Sequence, residues 1–267
     1  MKHLIKKYLP FIVPLYKKIY SSTVELKGNF PSTAGGRIRD ASKFWQRKKG
    51  EDLIYEKSLS HHMGARNWEE NKFVAYGDKH YSFYMAILRF AEMGKINPNI
   101  LEWGTGGGAN VLGFLKHFKT KYFGVDISKE NLNECQKITQ KYKLNRFIPI
   151  FINIEKPNIV ESIIDEKIDL FLITYVIAHL PDKQYAENII KIAYRMLANN
   201  GVAIFHVLLS DKTKKLYGDY THNVHSNTVF NYEEFLVLCK KHGFIHILQT
   251  KDDTLNNQYF SYFVFKK

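Results

Sequence analysis

The sequence predicts an α/β fold built on a mostly parallel sheet. Three observations carry this prediction. From Asn97 onward, short apolar runs alternate with amphipathic stretches, which is the rhythm of parallel strands joined by crossover helices. A glycine-rich turn, Gly104-Thr105-Gly106-Gly107-Gly108, directly follows the apolar run Ile100–Trp103 and precedes a helical stretch. An acidic residue, Asp126, ends the next apolar run, twenty-two residues beyond Gly104. With 267 residues, 45% of them hydrophobic, the chain can form one large domain and an accessory region.

Two regions separate by pattern. Residues 1–94 are basic and aromatic with few strand-like runs, and read as an N-terminal extension and helical cap; residues 95–267 read as the α/β domain. In the cap, apolar residues at helical spacing predict a helix over Lys79–Met93. In the domain, strands are predicted at Ile100–Trp103, Tyr122–Val125, Phe147–Ile152, Asp169–Thr174, Val202–Leu209, Phe244–Leu248 and Tyr259–Phe265. A helix begins near Ala109, and another begins at Lys129 behind Ser128, a residue suited to an N-cap. A short helix over Ile159–Asp165 is expected to start with a capping box of Asn158 and Glu161. Pro181 opens a helix through Ile189, Ile190, Ala193 and Leu197, expected to stop at Asn199-Asn200-Gly201 as a left-handed C-cap. The last helix is Tyr232–His242, ending on Gly243.

Composition narrows the setting. Cys135 and Cys239 are the only cysteines and neither sits in a close Cys/His cluster, so no zinc or disulfide framework is indicated and a reducing cytoplasm is expected. The net charge of +13 is uneven: in Met1–Gly50 twelve Lys/Arg face only Glu25 and Asp40. Such an arm suggests an anionic neighbour, whether phospholipid, nucleic acid or phosphorylated glycan, although a merely solvated arm has the same composition. No apolar run approaches the ~20 residues that span a bilayer. Pro10 and Pro14 interrupt the nearest candidate, Tyr8–Tyr16, and also argue against a signal peptide. Lysines flanking Leu4–Ile19, with Tyr8, Phe11, Tyr16 and Tyr20 between them, suit a segment lying peripherally on an anionic inner-membrane face. Packing on the protein body is the alternative.

The turn at 102–108 has the form acidic-x-Gly-x-Gly-x-Gly. Gly104 and Gly106 permit backbone angles and a ligand approach that a Cβ would block, and the helix that follows offers unpaired N–H groups to a carboxylate. Glu102 is placed to face a ligand ammonium, directly or through water. Asp126 can accept hydrogen bonds from both hydroxyls of a ribose. The degenerate dinucleotide fingerprint, Gly104-x-Gly106-x-x-Ala109, is also satisfied, so a nicotinamide or flavin site is the rival reading. Against it, Glu102 would bring negative charge toward a pyrophosphate.

With these motifs the chain resembles the class I S-adenosylmethionine-dependent methyltransferases, in the branch acting largely on small molecules and glycans. The resemblance runs from about Ile96 to Lys267. It rests on ILEWGTGGG, YFGVDIS, IDLFLITYVIAHLPD at 168–182, YRMLANNGVAIFHVL at 194–208 and FNYEEFLVLCKKHGF at 230–244, all in the family's order. It implies a Rossmann-like methyltransferase sheet of seven strands, six parallel and the last antiparallel. It implies S-adenosylmethionine as methyl donor, with Glu102, Gly104, Thr105 and Gly106 around the methionine end, Asp126 on the ribose and Ile127 on the adenine. The adenine contact of the third strand falls at Asn153-Ile154, where Asn153 replaces the common Asp. Thr174 and Tyr175 would line the cleft under the sulfonium.

Methyl transfer is an in-line displacement that needs alignment and, for a hydroxyl acceptor, a base. His179, after the fourth strand, is suited to that work. The loop 210–231 adds His222 and His225 as catalytic or acceptor-binding candidates, with Asp211, Tyr217, Asp219 and Tyr220 near them and His206 in the strand before. No carboxylate completes a metal motif with the two histidines, so no metal is expected. His61–Trp68 is dense in chemically capable groups, Arg66 for an anion and Trp68 for a sugar face, with cap packing as the alternative. His80 and Tyr81, at the start of the cap helix, are placed to close over the cofactor.

Thr174-Tyr175-Val176-Ile177 stands where amino-methylating nucleic-acid enzymes carry Asn/Asp-Pro-Pro-aromatic, no Pro-Cys pair exists for attack on cytosine, and the domain lacks a basic stripe. The expectation is therefore O-methylation of a polar small molecule or glycan, such as a bacterial surface-polysaccharide sugar. RNA or protein methylation through the basic arm, and a non-catalytic cofactor-binding scaffold, are the alternatives.

Overall fold

The computed structural model describes residues 33–46, 70–209, 228–255 and 258–267. Helix α1 (Ala34–Trp45) and helix α2 (Glu70–Phe90) precede strand β1 (Ile100–Trp103), and helix α3 (Ala109–Leu115) leads to β2 (Tyr122–Asp126). Helix α4 (Lys129–Lys141), β3 (Phe147–Phe151), a 3-10 turn at Pro157–Ile159, α5 (Val160–Ile163) and β4 (Ile168–Ile173) follow. A second 3-10 turn, Ile177–His179, leads to α6 (Lys183–Met196) and β5 (Leu197–Leu208). Helix α7 (Tyr232–Lys241) and the hairpin of β6 (Ile245–Leu255) and β7 (Gln258–Lys266) complete the order.

The strands form one seven-stranded sheet in the order β3-β2-β1-β4-β5-β7-β6. Strand β7 runs antiparallel to β5 and to β6, and the other neighbours are parallel, so six strands share one direction as expected. Alternate residues feed two cores because successive Cβ atoms leave a strand on opposite faces. Leu101, Trp103, Phe171, Phe205 and Phe263 meet Ala41 of α1, Ile189 and Ala193 of α6 and Phe235 of α7. Ile100, Tyr122, Leu172 and Ile204 meet Tyr84 and Leu88 of α2, Phe114 of α3 and Leu132 of α4.

One local expectation is met in detail, and one cap was not foreseen. Ser128 caps α4 by accepting the Asn131 N–H, and α7 opens with a complete capping box of Asn231 and Glu234. Others are corrected by tertiary partners. The capping box at Asn158 and Glu161 does not form: Asn158 accepts from Asn188 at 2.9 Å, and Glu161 is held in a fork by Arg195. Helix α6 starts at Lys183 behind Asp182, which accepts the Tyr185 N–H, rather than at Pro181. It ends at Met196, before Asn199-Asn200-Gly201, because Leu197 already pairs with Ile168 in the sheet. Asn200 does adopt the left-handed conformation (φ 61°), but within the β5 segment. Helix α2 begins at Glu70, so His80 and Tyr81 lie in its middle rather than at its start, and His80 faces the core.

Helices α2 and α3 cross at two glycines. A Cβ on Gly77 would collide with the Ala109 carbonyl oxygen, and one on Gly113 with the Gly77 carbonyl oxygen. The main chains therefore touch. Replacing Gly77 by Ala gains about 1 kcal/mol of helix propensity but forces two backbones apart, a strain of about 1–3 kcal/mol or more. The expected result for Gly77→Ala is a net fall in Tm of a few degrees; an unchanged or raised Tm would refute the close crossing.

Helix α1 lies within the stretch read as an accessory cap, and it packs on the body. Ala41 is fully buried in the core and Arg37 donates through Nε and Nη2 to Asp182 Oδ2 at 3.1 and 2.6 Å. No helix among the described residues is long and apolar enough to cross a membrane. The membrane-facing reading of Leu4–Ile19 and the His61–Trp68 cluster lie outside the described residues.

Candidate functional site

The crossovers diverge between β1 and β4, which leaves a crevice at the C-terminal ends of these two strands. The glycine turn sits there. Gly104, Gly106 and Gly108 have φ of 79°, 55° and 88°, a region that L side chains rarely adopt. The N–H groups of Gly104 and Thr105 both donate to the Val125 carbonyl, at 2.7 and 3.2 Å, which folds the turn over the end of β2. A Cβ on Gly104 would strike the side chain of Val176, and one on Gly108 would strike Cys135.

Asp126 ends β2 beside this turn and is nearly buried. Its Oδ2 accepts the Gly106 N–H at 2.9 Å and its Oδ1 accepts the Ser128 N–H at 2.8 Å. The carboxylate thus ties the glycine turn to the start of α4. Burial raises its pKa while the two backbone donors oppose that rise. The Asn131 side chain and the Ile127 N–H also interact with the carboxylate.

Glu102 lies beneath the turn and is fully buried. Asn110 Nδ2 donates to its Oε1 at 2.5 Å, Tyr122 donates its hydroxyl to Oε2 at 2.9 Å, and Thr174 Oγ1 lies 3.4 Å from Oε1. Asn110 Oδ1 in turn faces His80 Nδ1 at 2.8 Å. Because the Asn110 amide nitrogen is committed to the carboxylate, its oxygen must accept, so His80 carries a proton on Nδ1. The chain His80–Asn110–Glu102 runs from α2 through α3 to β1. Burial pushes the Glu102 carboxyl up to about 8, against its hydrogen-bond donors. Its partners are groups of the chain itself, and it lies buried below the turn.

Beyond β4 the residues alternate toward and away from the turn. Thr174 accepts from Asn110 Nδ2 at 3.2 Å, and Val176 fills the space above Gly104. Tyr175, between them, is half-buried and has φ 57°, an uncommon conformation for a bulky residue. Its N–H donates to Nδ1 of His206 at 3.2 Å, and the two rings meet edge-on at 4.1 Å. His179, in the 3-10 turn after Tyr175, is half-buried with its ring 5.3 Å from that of Trp45 of α1.

The structure thus places Gly104, Thr105, Gly106 and Asp126 together at the glycine turn, with Glu102 buried beneath it and Tyr175 just beyond β4. Ile127 follows Asp126 and packs on the core. Asn153 is exposed and its Oδ1 accepts the Glu155 N–H at 2.9 Å; Ile154 is buried, with its carbonyl accepting from the Tyr185 hydroxyl. His222 and His225 lie outside the described residues, as do Asp211, Tyr217, Asp219 and Tyr220. Sequence reading passed over Asn110 and Tyr122 entirely. Asn110, a polar residue inside the otherwise apolar Ala109–Leu115, was the signal that could have found the first; Tyr122 carries none, since a tyrosine in an apolar strand is ordinary core.

A family model described as a methyltransferase domain matches residues 76–248. No curated protein matches the chain. Among solved structures, the magnesium protoporphyrin IX methyltransferase of Synechocystis PCC 6803, crystallised with SAH, is 12% identical with a TM-score of 0.60, covering 86% of this chain and 99% of its own. The 1,6-didemethyltoxoflavin-N1-methyltransferase of Burkholderia thailandensis, crystallised with its substrate and S-adenosylhomocysteine, is 16% identical with a TM-score of 0.55, covering 78% of this chain and 84% of its own. The cyclase SpnF shares the fold at 10% identity and a TM-score of 0.56, covering 71% of this chain and 80% of its own.

Proposed function

This chain belongs to the methyltransferase domain family, and from that premise we propose that it transfers a methyl group from S-adenosylmethionine to a hydroxyl of a polar small molecule or glycan. The observation that carries the donor is the carboxylate of Asp126. It is anchored by the Gly106 and Ser128 N–H groups, one on each oxygen, and a carboxylate at the end of β2 suits two adjacent ribose hydroxyls. Glu102, whose side-chain hydrogen-bond partners among the described residues are the uncharged Asn110, Tyr122 and Thr174, ionises as the donor's ammonium arrives and so supplies the opposite charge. Gly104, Thr105 and Gly106 surround the methionine end. Ile127, Asn153 and Ile154 form the adenine side.

The residues do three things in the reaction. Asp126 and the glycine turn fix the donor, so that its methyl group faces one direction. Tyr175 and Thr174 border the path along which the acceptor oxygen meets the methyl carbon. As the new C–O bond forms, the C–S bond breaks and its electron pair goes to sulfur. The hydroxyl proton goes to a base, and His179, at the end of the 3-10 turn that follows Tyr175, is the proposed base, with His222 and His225 of the following loop as further acceptor-side candidates.

The acceptor class rests on the missing nucleic-acid motifs after β4 and on the Lys/Arg excess of residues 1–50, which suits a phosphorylated glycan worked on beside an anionic, inner-membrane surface. The test is incubation with methyl-labelled S-adenosylmethionine and separate glycan, lipid, RNA and protein fractions. Label in the glycan or small-molecule fraction is expected. Label retained by RNA, in a salt-sensitive manner lost on deleting residues 1–50, would replace the acceptor class.

A further inference from the structure

The left-handed Tyr175 has a partner outside the glycine turn and outside β4. His206 lies in β5, fully buried, and stacks on Phe260 with ring centroids 4.8 Å apart and planes 12° apart. On the same strand β7, Tyr262 pairs with His206 in register, with ring centroids 4.4 Å apart. The imidazole is thus clamped by two aromatic rings, and its Nδ1 is aimed at the Tyr175 N–H. A nitrogen that accepts from an N–H carries no proton, so the imidazole proton is on Nε2.

A bulky residue held at positive φ costs about 1–3 kcal/mol and persists only where its surroundings over-determine it. Here the neighbours are Thr174, bonded to the Glu102 network, and Val176, packed over Gly104. Tyr175 is the residue that turns between those two anchors, and the bond from its N–H to His206 is a third. The half-buried Tyr175 ring lies against His206, and its centroid is 6.0 Å from that of Phe260.

We propose that His206 is a positioning residue, which by accepting the Tyr175 N–H holds the Tyr175 ring in the one orientation that aligns the acceptor with the methyl donor. This rests on the methyl-transfer reading of the site. His206 does not touch the reactants; it acts through Tyr175. Its effect should therefore fall on turnover rather than on donor affinity, since misplacing an aligning group by about 1 Å can cost about 100-fold in rate.

Two replacements separate the hydrogen bond from the packing. His206→Phe keeps an aromatic ring between Phe260 and Tyr262 but has no acceptor. His206→Asn carries an oxygen near the position of Nδ1 and loses the stack. With methyl-labelled S-adenosylmethionine and the fraction that the wild-type protein labels as acceptor, the proposal expects kcat to fall about 10- to 100-fold in His206→Phe with S-adenosylhomocysteine affinity within about threefold of wild type, and His206→Asn to recover most of kcat despite its poorer packing. If both variants keep wild-type kcat, or if His206→Phe is the more active of the two, the proposal is overturned. Nitrogen NMR of the wild-type protein reads the same feature without relying on a variant: an unprotonated Nδ1 and protonated Nε2 at His206 are expected, and the opposite tautomer would overturn the proposal. A wild-type protein that binds no S-adenosylhomocysteine would remove the methyl-transfer reading itself, which is a separate result from intact binding and turnover that do not respond to His206.

Discussion

Replacing Asp126 by Ala is expected to weaken S-adenosylmethionine binding at least about 100-fold, because two charge-assisted hydrogen bonds to a ribose contribute about 1.5–3 kcal/mol each. The same change removes the acceptor for the N–H groups of Gly106 and Ser128, at 2.9 and 2.8 Å in the native protein. An unsatisfied buried donor costs about 1–3 kcal/mol, while deletion of a buried carboxylate returns part of that through relief of its desolvation. Stability should therefore fall by less than the two lost bonds suggest. Asp126→Asn tests the division: its oxygen can serve one N–H, but its amide nitrogen meets the other donor head-on. Donor affinity is expected in the order wild type, Asn, Ala, read by calorimetry on samples whose circular dichroism confirms folding. Wild-type affinity in Asp126→Ala would exclude the ribose assignment.

The second large effect concerns Glu102 and pH. With the folded carboxyl pushed up to about 8 from an ordinary value of 4.5, the folded protein binds a proton that the unfolded chain has released. Stability of the ligand-free protein should thus decline as pH rises from 4.5 toward 8 and level off above, with a limiting slope of about 1.4 kcal/mol per pH unit. Glu102→Gln preserves shape and most hydrogen bonds without the ionisation, so its Tm should be flatter over this range and exceed wild type near pH 8. Donor binding should show the opposite dependence. An arriving ammonium favours the ionised carboxylate, so wild-type binding releases a proton below pH 8 and tightens as pH rises. The trend stops near pH 8, where a donor amino group of pKa about 8 loses its own charge. Calorimetry in buffers of different ionisation heat measures that proton. A wild-type protein that releases none, or a Gln variant with the same pH profile, would show that Glu102 does not respond to the ligand's charge.

How much of this was legible in the sequence depends on how far apart the partners lie. Strand β1, the glycine turn, Asp126 and the Ser128 cap of α4 are local patterns, and the structure has these elements where the spacing predicts them. The end of α6 was not legible, because Asn199-Asn200-Gly201 is a sound stop signal that Leu197 pre-empts by pairing with Ile168, across some thirty residues of chain. Asn158 and Glu161 have the spacing of a cap, yet Asn188 and Arg195 of α6 claim both side chains. The start of α2 was obscured by the polar residues and Gly77 between Glu70 and Lys79, a glycine whose reason is visible only once Ala109 lies against it.

The same contrast holds in the crevice. Glu102 and Asp126 could be picked out by residue type and spacing, whereas the burial that raises the Glu102 carboxyl, and the Asn110 and Tyr122 groups that hold it, follow from the packing of α2 and α3 on the sheet. His206 was visible as a histidine in a strand. Its role could not be read until β7 set Phe260 and Tyr262 around it.

The touching backbones at Gly77 and Gly113 have an evolutionary consequence. Helix α3 has only seven residues, all buried, and it is braced by α2 at a contact that admits no side chain, so the donor half tolerates little sequence drift. The contacts of α1 with the turn after β4, and of that turn with β5 and β7, are made by side chains instead, which can be exchanged one at a time. With the site as proposed, such a molecule can change its acceptor by small steps while its grip on the donor is inherited intact.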